Sequence, residues 1–159
     1  MKAMRSIVKE HPFTAEMSEH HLDVLLETAH EVAFDTNAIL FRQDEVADRF
    51  YLILSGEIAL ELRDRNGLVR LVESIRQGEV LGWSWLFPPF MWHFQARAVR
   101  PVQAIVFDGA HLLVACEENH ELGFDLMKRI SQVLIHRLQV ARRRLNEPAL
   151  TAPLPGQSQ

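Results

Sequence analysis

The sequence predicts a mainly β fold with flanking helices, namely a double-stranded β-helix (jelly-roll-like) barrel with a short N-terminal helix and a long C-terminal helix. Between residues 31 and 107, short apolar segments alternate with turn sequences at regular spacing, which is typical of antiparallel strands in a closed barrel or a jelly roll. The 3.6-residue period of a helix is found only before and after this region. Strands and helices do not alternate along the chain, so no parallel sheet is predicted.

The composition is that of a globular protein and excludes several classes of function. Of the 159 residues, 48% are apolar and 24% are charged, and the formal net charge of −4 gives no general attraction to nucleic acid. The single cysteine, Cys116, excludes an internal disulfide and a multi-cysteine metal site. No apolar run approaches the roughly 18 residues of a membrane span, and we find no signal peptide. We therefore expect a cytoplasmic protein with no membrane association.

Changes in composition and periodicity divide the chain into four segments. An N-terminal lead-in covers residues 1–12, and a β-barrel domain with flanking helices covers residues 13–118. A long C-terminal helix covers residues 119–147. The remaining tail, residues 148–159, is rich in proline, glycine, serine and glutamine and is predicted to be disordered.

The elements of the barrel domain follow from capping and turn signals. The ordered region is expected to begin at His11, and the first helix begins after Ser18, a residue type that caps helix N-termini well. Asn66-Gly67 marks a hairpin turn because this pair accepts the positive φ angles of a tight turn. Ser55-Gly56 and Arg100-Pro101 are each expected to separate two strands. The predicted strands cover residues 32–34, 39–41, 48–54, 58–62, 69–75, 95–99 and 102–107.

Two helices follow the barrel, a short one over about residues 110–117 and a longer one from about Asn119 to Asn146. The longer helix has an apolar seam whose members are three or four residues apart. A helix of about 25 residues exceeds what a small barrel covers, so the seam predicts a homodimer; the alternative is that it packs wholly on its own barrel. The positive charges of residues 142–144 are favourable at the C-terminal, negative end of the helix dipole. The seam consists of Met127, Ile130, Leu134, Leu138, Ala141 and Leu145.

The segment from Gly78 to Arg97 has an unusual composition for a connection between strands. It contains all three tryptophans of the chain and a Pro-Pro pair, and it opens with two glycines four residues apart. Loops are usually small and polar, so these rings need an explanation. The segment is predicted to be a ligand-binding loop carried on the β scaffold; the alternative is a hydrophobic plug that closes one end of the barrel.

Three segments carry motifs of a known family. Residues 47–58 look like the paired strands D-x-x-Y-x-I-x-x-G-x-V, residues 78–82 look like the loop opening G-E-x-x-G, and residues 96–99 look like the strand V-R-A. In this order and spacing they resemble the cyclic-nucleotide-binding domain of the Crp/Fnr family, over roughly residues 13–145. The resemblance implies a non-catalytic regulatory domain whose ligand is held by the loop.

The resemblance also identifies candidate site residues. In family members that bind a cyclic nucleotide, the loop supplies a glutamate for the ribose hydroxyl, and an Arg-Ser pair neutralises the phosphate. Glu79 is the loop glutamate here, whereas Trp92-His93 stands at the positions of Arg-Ser. Because a buried phosphate needs a cation or several donors, ordinary cyclic AMP binding is not expected. The candidate ligand-binding residues are Gly78, Glu79, Val80, Leu81, Gly82, Trp83, Trp85, Trp92, His93, Phe94 and Arg97.

Three interpretations of this site remain open. It binds a less anionic, more aromatic ligand between Trp83, Trp85 and Trp92; its own rings fill it; or it binds a cyclic nucleotide with Arg97 or His93 as the substitute cation. The sequence specifies no cofactor, and the candidate ligands are a cyclic nucleotide or another small aromatic molecule. The expected function is ligand sensing that signals through the dimer helix or a protein partner; the alternative is a ligand-free structural or protein-interaction module.

Two further classes of function are not predicted. Family relatives commonly carry a helix-turn-helix after the long helix, but this chain ends about a dozen residues beyond it, so a stand-alone domain without direct DNA binding is expected. The strands contain no His-x-His metal motif, and no catalytic triad motif stands out. We therefore expect neither catalysis nor a metal site.

Overall fold

The computed structural model describes residues 3–146, and within this range the chain forms four α-helices and six strands. The predicted disordered tail, residues 148–159, lies outside the described residues. Two short 3-10 turns, Pro12–Thr14 and Ser84–Leu86, lie between these elements. In chain order the elements are α1 (Met4–Glu10), α2 (Glu19–Leu26), β1 (His30–Phe34), β2 (Ile39–Phe41), β3 (Arg49–Arg63), β4 (Val69–Arg76), β5 (Val80–Leu81), β6 (Gln95–Asp108), α3 (Gly109–Glu118) and α4 (His120–Asn146).

The strands form one antiparallel sheet in the order β1-β6-β3-β4, with β2 paired to β6 and β5 paired to β3. This arrangement confirms the predicted mainly β, jelly-roll-like fold with a short helix before it and a long helix after it. Of the two predicted alternatives, a closed barrel and a jelly roll, the closed barrel is not found, because among the described strands β1 and β4 end the path and do not pair with each other. The sheet is curled around a core but remains open at these two edges.

Two long strands replace four of the predicted short ones. β3 passes without interruption through Gly56, and β6 passes through Pro101. The two irregularities face each other, since the pairing of β3 with β6 shifts register around residues 55–58. Gly56 has a φ of +96°, and a Cβ there would lie 2.2 Å from the carbonyl oxygen of Pro101. The turn-like sequences are therefore β-bulges that bend the strands rather than end them.

The core lies between the inward-facing positions of the strands, where apolar side chains alternate with residues on the outer face. On the outer face, Phe50 packs against Phe13 and Phe107 with ring centroids 5.2 and 6.1 Å apart. The sheet thus has an inner core and a second apolar layer below the flanking segments. The inner core consists of Leu40, Tyr51, Ile53, Ile58, Leu60, Ile75, Leu81, Ala96, Ala98, Val102, Ala104 and Val106.

The N-terminal region contains a helix that the sequence did not predict. α1 lies within the segment interpreted as a lead-in, and it is tied to α2 by ion pairs from Arg5 to Asp23 and from Lys9 to Glu19. Only Val8 of this helix is buried. Its seven residues therefore show too little apolar periodicity for the helix to be recognised from the sequence. The predicted N-cap of α2 is confirmed, because the Ser18 hydroxyl accepts a hydrogen bond from a backbone N–H of its first turn.

The described residues separate into two compact units, with the division between Phe124 and Asp125. In the second unit α4 continues to Asn146, as predicted. Along its predicted seam Ile130 is buried, whereas Leu138 and Leu145 are 63% and 86% exposed. Among the described residues, no helix combines the length and apolar character that crossing a membrane requires.

Candidate functional site

Trp92 fills the space beside Gly82. Its indole is only 4% exposed and stacks on Phe41, with ring centroids 3.8 Å apart and ring planes within 11° of parallel. Gly82 has a φ of +89°, and a Cβ there would lie 2.8 Å from the indole ring. The ring therefore lies against the backbone of the loop. In sequence, Trp92 stands where the family resemblance leads us to expect the arginine that binds phosphate.

The backbone around Trp92 is fixed by a neighbouring loop. The Trp92 N–H donates to the carbonyl of Glu45, and the Asp44 N–H donates to the carbonyl of Trp92, both at 2.9 Å. Residues 46 and 91 form an isolated antiparallel bridge, and the Ala47 N–H donates to the carbonyl of Phe90 at 2.7 Å. These bonds hold the end of the aromatic segment against the connection between β2 and β3. They fix the backbone of Trp92, while Phe41 and Gly82 contact its ring.

Trp85 has a different environment from Trp92. It lies in the 3-10 turn Ser84–Leu86, is 1% exposed, and packs on Phe50 with ring centroids 5.7 Å apart. A Cβ at Gly109, the first residue of α3, would lie 2.6 Å from the Cβ of Trp85. Trp85 therefore fills the outer apolar layer between the sheet and α3, and the structure does not bring it together with Trp92.

The third tryptophan, Trp83, retains an accessible surface. It is half-buried and lies 6.0 Å from the rings of both Phe87 and His93, measured between centroids. His93 is exposed, whereas Phe94, the next residue, packs against the inner core. We call Trp83, Phe87 and His93 the accessible aromatic cluster. Among the described site candidates it offers aromatic surface that the protein itself does not cover.

Glu79 has a local role in the opening of the loop. Its carboxylate accepts a hydrogen bond from the Arg76 N–H at 2.7 Å, and its carbonyl accepts one from the Ile53 N–H at 3.0 Å. Gly78, with a φ of +84°, turns the chain at this point. The following residues, Val80–Leu81, are buried as strand β5. The carboxylate of Glu79 is thus engaged in closing a turn between β4 and β5.

Arg97 is already paired with a carboxylate. Its guanidinium donates to both oxygens of Glu61 at 3.1 Å and to the side-chain oxygen of Asn37 at 3.2 Å. The hydrogen bond from Arg97 lowers the pKa of Glu61, and the same contact raises the pKa of Arg97. Ala96 and Ala98, the neighbours of Arg97 in β6, belong to the inner core, so Arg97 projects from the opposite face of the strand.

The structure therefore divides the predicted site residues into groups. Trp92 and Gly82 are brought together, as are Trp83 and His93, while Glu79, Trp85 and Arg97 are occupied elsewhere. Phe41 and Phe87, which contact the rings of Trp92 and Trp83, were not among the predicted site residues. Phe41 was predicted only as a strand residue, and nothing in the sequence indicates that it contacts Trp92. Within residues 3–146, no group of three or more histidine, cysteine, aspartate or glutamate side chains is arranged to hold a metal ion.

Comparisons with known proteins agree on the type of domain. The family model described as the cyclic nucleotide-binding domain matches residues 31–119. The chain is similar to a protein described as cyclic nucleotide-binding from Geobacter metallireducens GS-15, with 26% identity, a TM-score of 0.78, and coverage of 86% of this chain and 99% of that one. None of the curated proteins matches the sequence significantly.

Two further solved structures share the fold at lower identity. A cyclic nucleotide-binding domain from Methylobacillus flagellatus KT is 18% identical, with a TM-score of 0.74 over 95% of this chain and 85% of that one. The sensor domain of the transcriptional regulator DNR from Pseudomonas aeruginosa is 22% identical, with a TM-score of 0.67 over 93% of this chain and 95% of that one. At these identities the likeness concerns the fold alone.

Proposed function

The chain belongs to the cyclic nucleotide-binding domain family, and from this premise we propose that it is a non-catalytic regulatory domain whose phosphate position is closed by the indole of Trp92. Such a domain senses something other than an ordinary cyclic nucleotide. The observation that carries the proposal is the stack of Trp92 on Phe41, with the indole packed against Gly82. A phosphate at this loop would have to displace a ring that is almost fully buried.

The charges near the loop support the same proposal. A phosphate removed from water needs a paired cation or several donors. Arg97 already shares its guanidinium between Glu61 and Asn37, so using it for a ligand would break those bonds. His93 is exposed to water, which screens its interaction with an anion, so it is a weak substitute. Neither Arg97 nor His93 therefore supplies the free, buried cation that a phosphate at this loop would need.

The accessible aromatic cluster is the proposed contact surface for a ligand. Trp83, Phe87 and His93 offer ring faces and edges with no fixed positive charge, which suits a small, uncharged aromatic molecule. Binding there would act on the segment that begins at Gly82 and ends at Trp92. A ligand changes the state of the domain only to the extent that it binds two arrangements of this segment with different affinity.

Signalling is proposed to proceed through a homodimer formed by α4. The exposed apolar side chains Met127, Leu138 and Leu145 lie along one side of this helix at the spacing of a paired helix. Leu138→Lys should leave the monomer folded, because residue 138 is exposed, and should turn a dimer into a monomer in sedimentation or light scattering. Gln139→Lys, one residue away, is the matched charge control and should leave the dimer intact. Equal behaviour of the two variants would contradict dimerisation through this face.

The experiment that tests the closed phosphate position is a restoration of the family's Arg-Ser pair. The double variant Trp92→Arg/His93→Ser should gain binding of cyclic AMP or cyclic GMP in calorimetric titration, while the wild type shows none in the same range. The single variant His93→Ser is the control, since it leaves the indole in place. Cyclic nucleotide binding by the wild type and by His93→Ser, with equal affinity, would overturn the proposal.

The second candidate function, a ligand-free protein-interaction module, has its own supporting observation. Trp85 and Trp92 are both almost fully buried, so two of the three tryptophans act as packing residues. In this case the accessible aromatic cluster would contact a partner protein rather than a small molecule. Native mass spectrometry of the purified protein separates the two, because a co-purified small molecule is expected only for a ligand-sensing domain.

A further inference from the structure

A second cavity lies away from the aromatic loop. It measures about 540 Å³ and is open at the end of the sheet where β1, β3 and β6 meet the start of α3. Its apolar wall consists of Val32, Phe34, Tyr51 and Val106, all from inward-facing positions of the strands. None of its lining residues belongs to the segment 78–97, so the cavity is separate from the site of the proposed function.

The wall of this cavity contains a polar atom that the protein does not satisfy. Tyr51 is fully buried, and among the described residues its hydroxyl proton has no acceptor in hydrogen-bonding geometry. The guanidinium of Arg49 interacts with the hydroxyl oxygen, and the carboxylate of Asp48 also acts on this group. Burial raises the pKa of the Tyr51 phenol, which therefore stays protonated and can donate a hydrogen bond at neutral pH. Buried hydroxyls without a partner are uncommon and point to a missing acceptor.

The rim of the cavity carries charges of both signs. Arg49 is half-exposed, and its nearest carboxylate oxygen, on Asp48, is 3.8 Å from its Nε, too far for a hydrogen bond. Asp108 lies opposite Arg49 in the pairing of β3 with β6, and one of its oxygens accepts a hydrogen bond from the first turn of α3. The rim also includes His30. One guanidinium therefore lies beside two carboxylates.

This charge pattern selects among classes of small molecule. A simple anion would meet Arg49 but would be repelled by two carboxylates. A simple cation would be repelled by Arg49 and would leave the Tyr51 hydroxyl proton without an acceptor. A molecule with adjacent positive and negative groups satisfies both signs at once. The apolar wall in turn requires a large apolar body on that molecule.

We propose that this cavity binds a free α-amino acid with a large apolar side chain. The carboxylate of the amino acid pairs with Arg49 and accepts the hydrogen bond of Tyr51. Its ammonium group lies between Asp48 and Asp108. Its side chain packs on Phe34 and the neighbouring strand residues. This site is independent of the proposed loop function, and an amino acid bound here would connect β1, β3 and β6 at their common end.

The test compares three related molecules by isothermal titration calorimetry on the full chain. L-Phenylalanine carries both charges, 3-phenylpropionate lacks the ammonium group, and phenethylamine lacks the carboxylate. Phenylalanine should bind, and each analogue should bind about tenfold more weakly or worse, since each leaves charged groups of the rim unpaired. Equal affinity for either analogue would overturn the proposal, and so would the absence of binding by both L-phenylalanine and L-leucine at about 10 mM.

Two variants place the binding in this cavity. Tyr51→Phe keeps the ring and removes only the hydroxyl, so the fold should be retained and phenylalanine binding should weaken about tenfold. Arg49→Gln should weaken it at least as much. The matched control is Arg70→Gln, which removes an exposed guanidinium on β4, outside the cavity, and should leave the affinity unchanged. Wild-type affinity in both Tyr51→Phe and Arg49→Gln would overturn the assignment and would leave the proposal for the aromatic loop unaffected.

Discussion

Replacement of Trp92 by alanine tests whether its indole is a packing element of the fold. The ring is 96% buried and stacked on Phe41, so nearly all of its roughly 200 Å² is removed from water. At about 25 cal/mol per Å² this burial is worth about 5 kcal/mol, and part of it is already present in the unfolded chain. Trp92→Ala should therefore lower the free energy of unfolding by about 3–5 kcal/mol, which is the usual range for a buried aromatic residue.

The assay is urea denaturation followed by circular dichroism, with two companion variants. Trp92→Phe keeps a ring that can stack on Phe41 and should lose roughly half as much stability. Trp83→Ala removes a half-buried ring in the same segment and should cost no more than about 2 kcal/mol. If Trp92→Ala loses less than about 1 kcal/mol, or less than Trp83→Ala, the indole is not part of the core. The account of a closed phosphate position would then be wrong.

Three further predictions concern the scaffold. Glu61→Gln should destabilise the protein at pH 7 and by progressively less as the pH falls below the ordinary carboxyl pKa of 4.5, because Arg97 lowers the pKa of Glu61 and the stabilisation is lost as the pH falls through that lowered value; a loss that does not change with pH would contradict this. Gly56→Ala should cost well over the roughly 1 kcal/mol of Gly67→Ala in thermal denaturation, since both glycines have positive φ but only the first would place a Cβ against backbone. Burial lowers the pKa of His11, so stability should fall as the pH drops below about 6.5, and His11→Gln should remove this part of the pH dependence in urea titrations.

Much of the fold was predictable from the sequence because it depends on periodicity and turn chemistry. The alternation in β3 and β6 identified their strand character, and the seam of α4 identified its length. The sequence did not reveal that Gly56 and Pro101 are bulges within long strands. A glycine between two apolar runs has the same composition in a turn and in a bulge, and the difference depends on the close approach of the two strands at this point.

The site was less predictable because its residues contribute through contacts that are distant in sequence. Alternation in β6 would have placed Arg97 on the face opposite Ala96 and Ala98, but only the structure pairs it with Glu61, 36 residues earlier. Trp92 and Phe41 are likewise brought together because the segment that follows Phe41 pairs with the segment that leads into Trp92. The segment 78–97 was singled out by its composition, yet composition does not distinguish a buried ring from an accessible one.

The most direct test of the central claim is thermal unfolding of the wild-type protein with and without cyclic AMP and cyclic GMP. A ligand at about 100 times its dissociation constant adds about 2.7 kcal/mol to the stability of the folded state, which corresponds to a shift of roughly 5–10 °C for a protein of this size. If the indole of Trp92 closes the phosphate position, as proposed, neither nucleotide should shift the unfolding temperature at millimolar concentration. A shift of several degrees with one of them would contradict the account, because the loop would then bind a phosphate despite the buried ring.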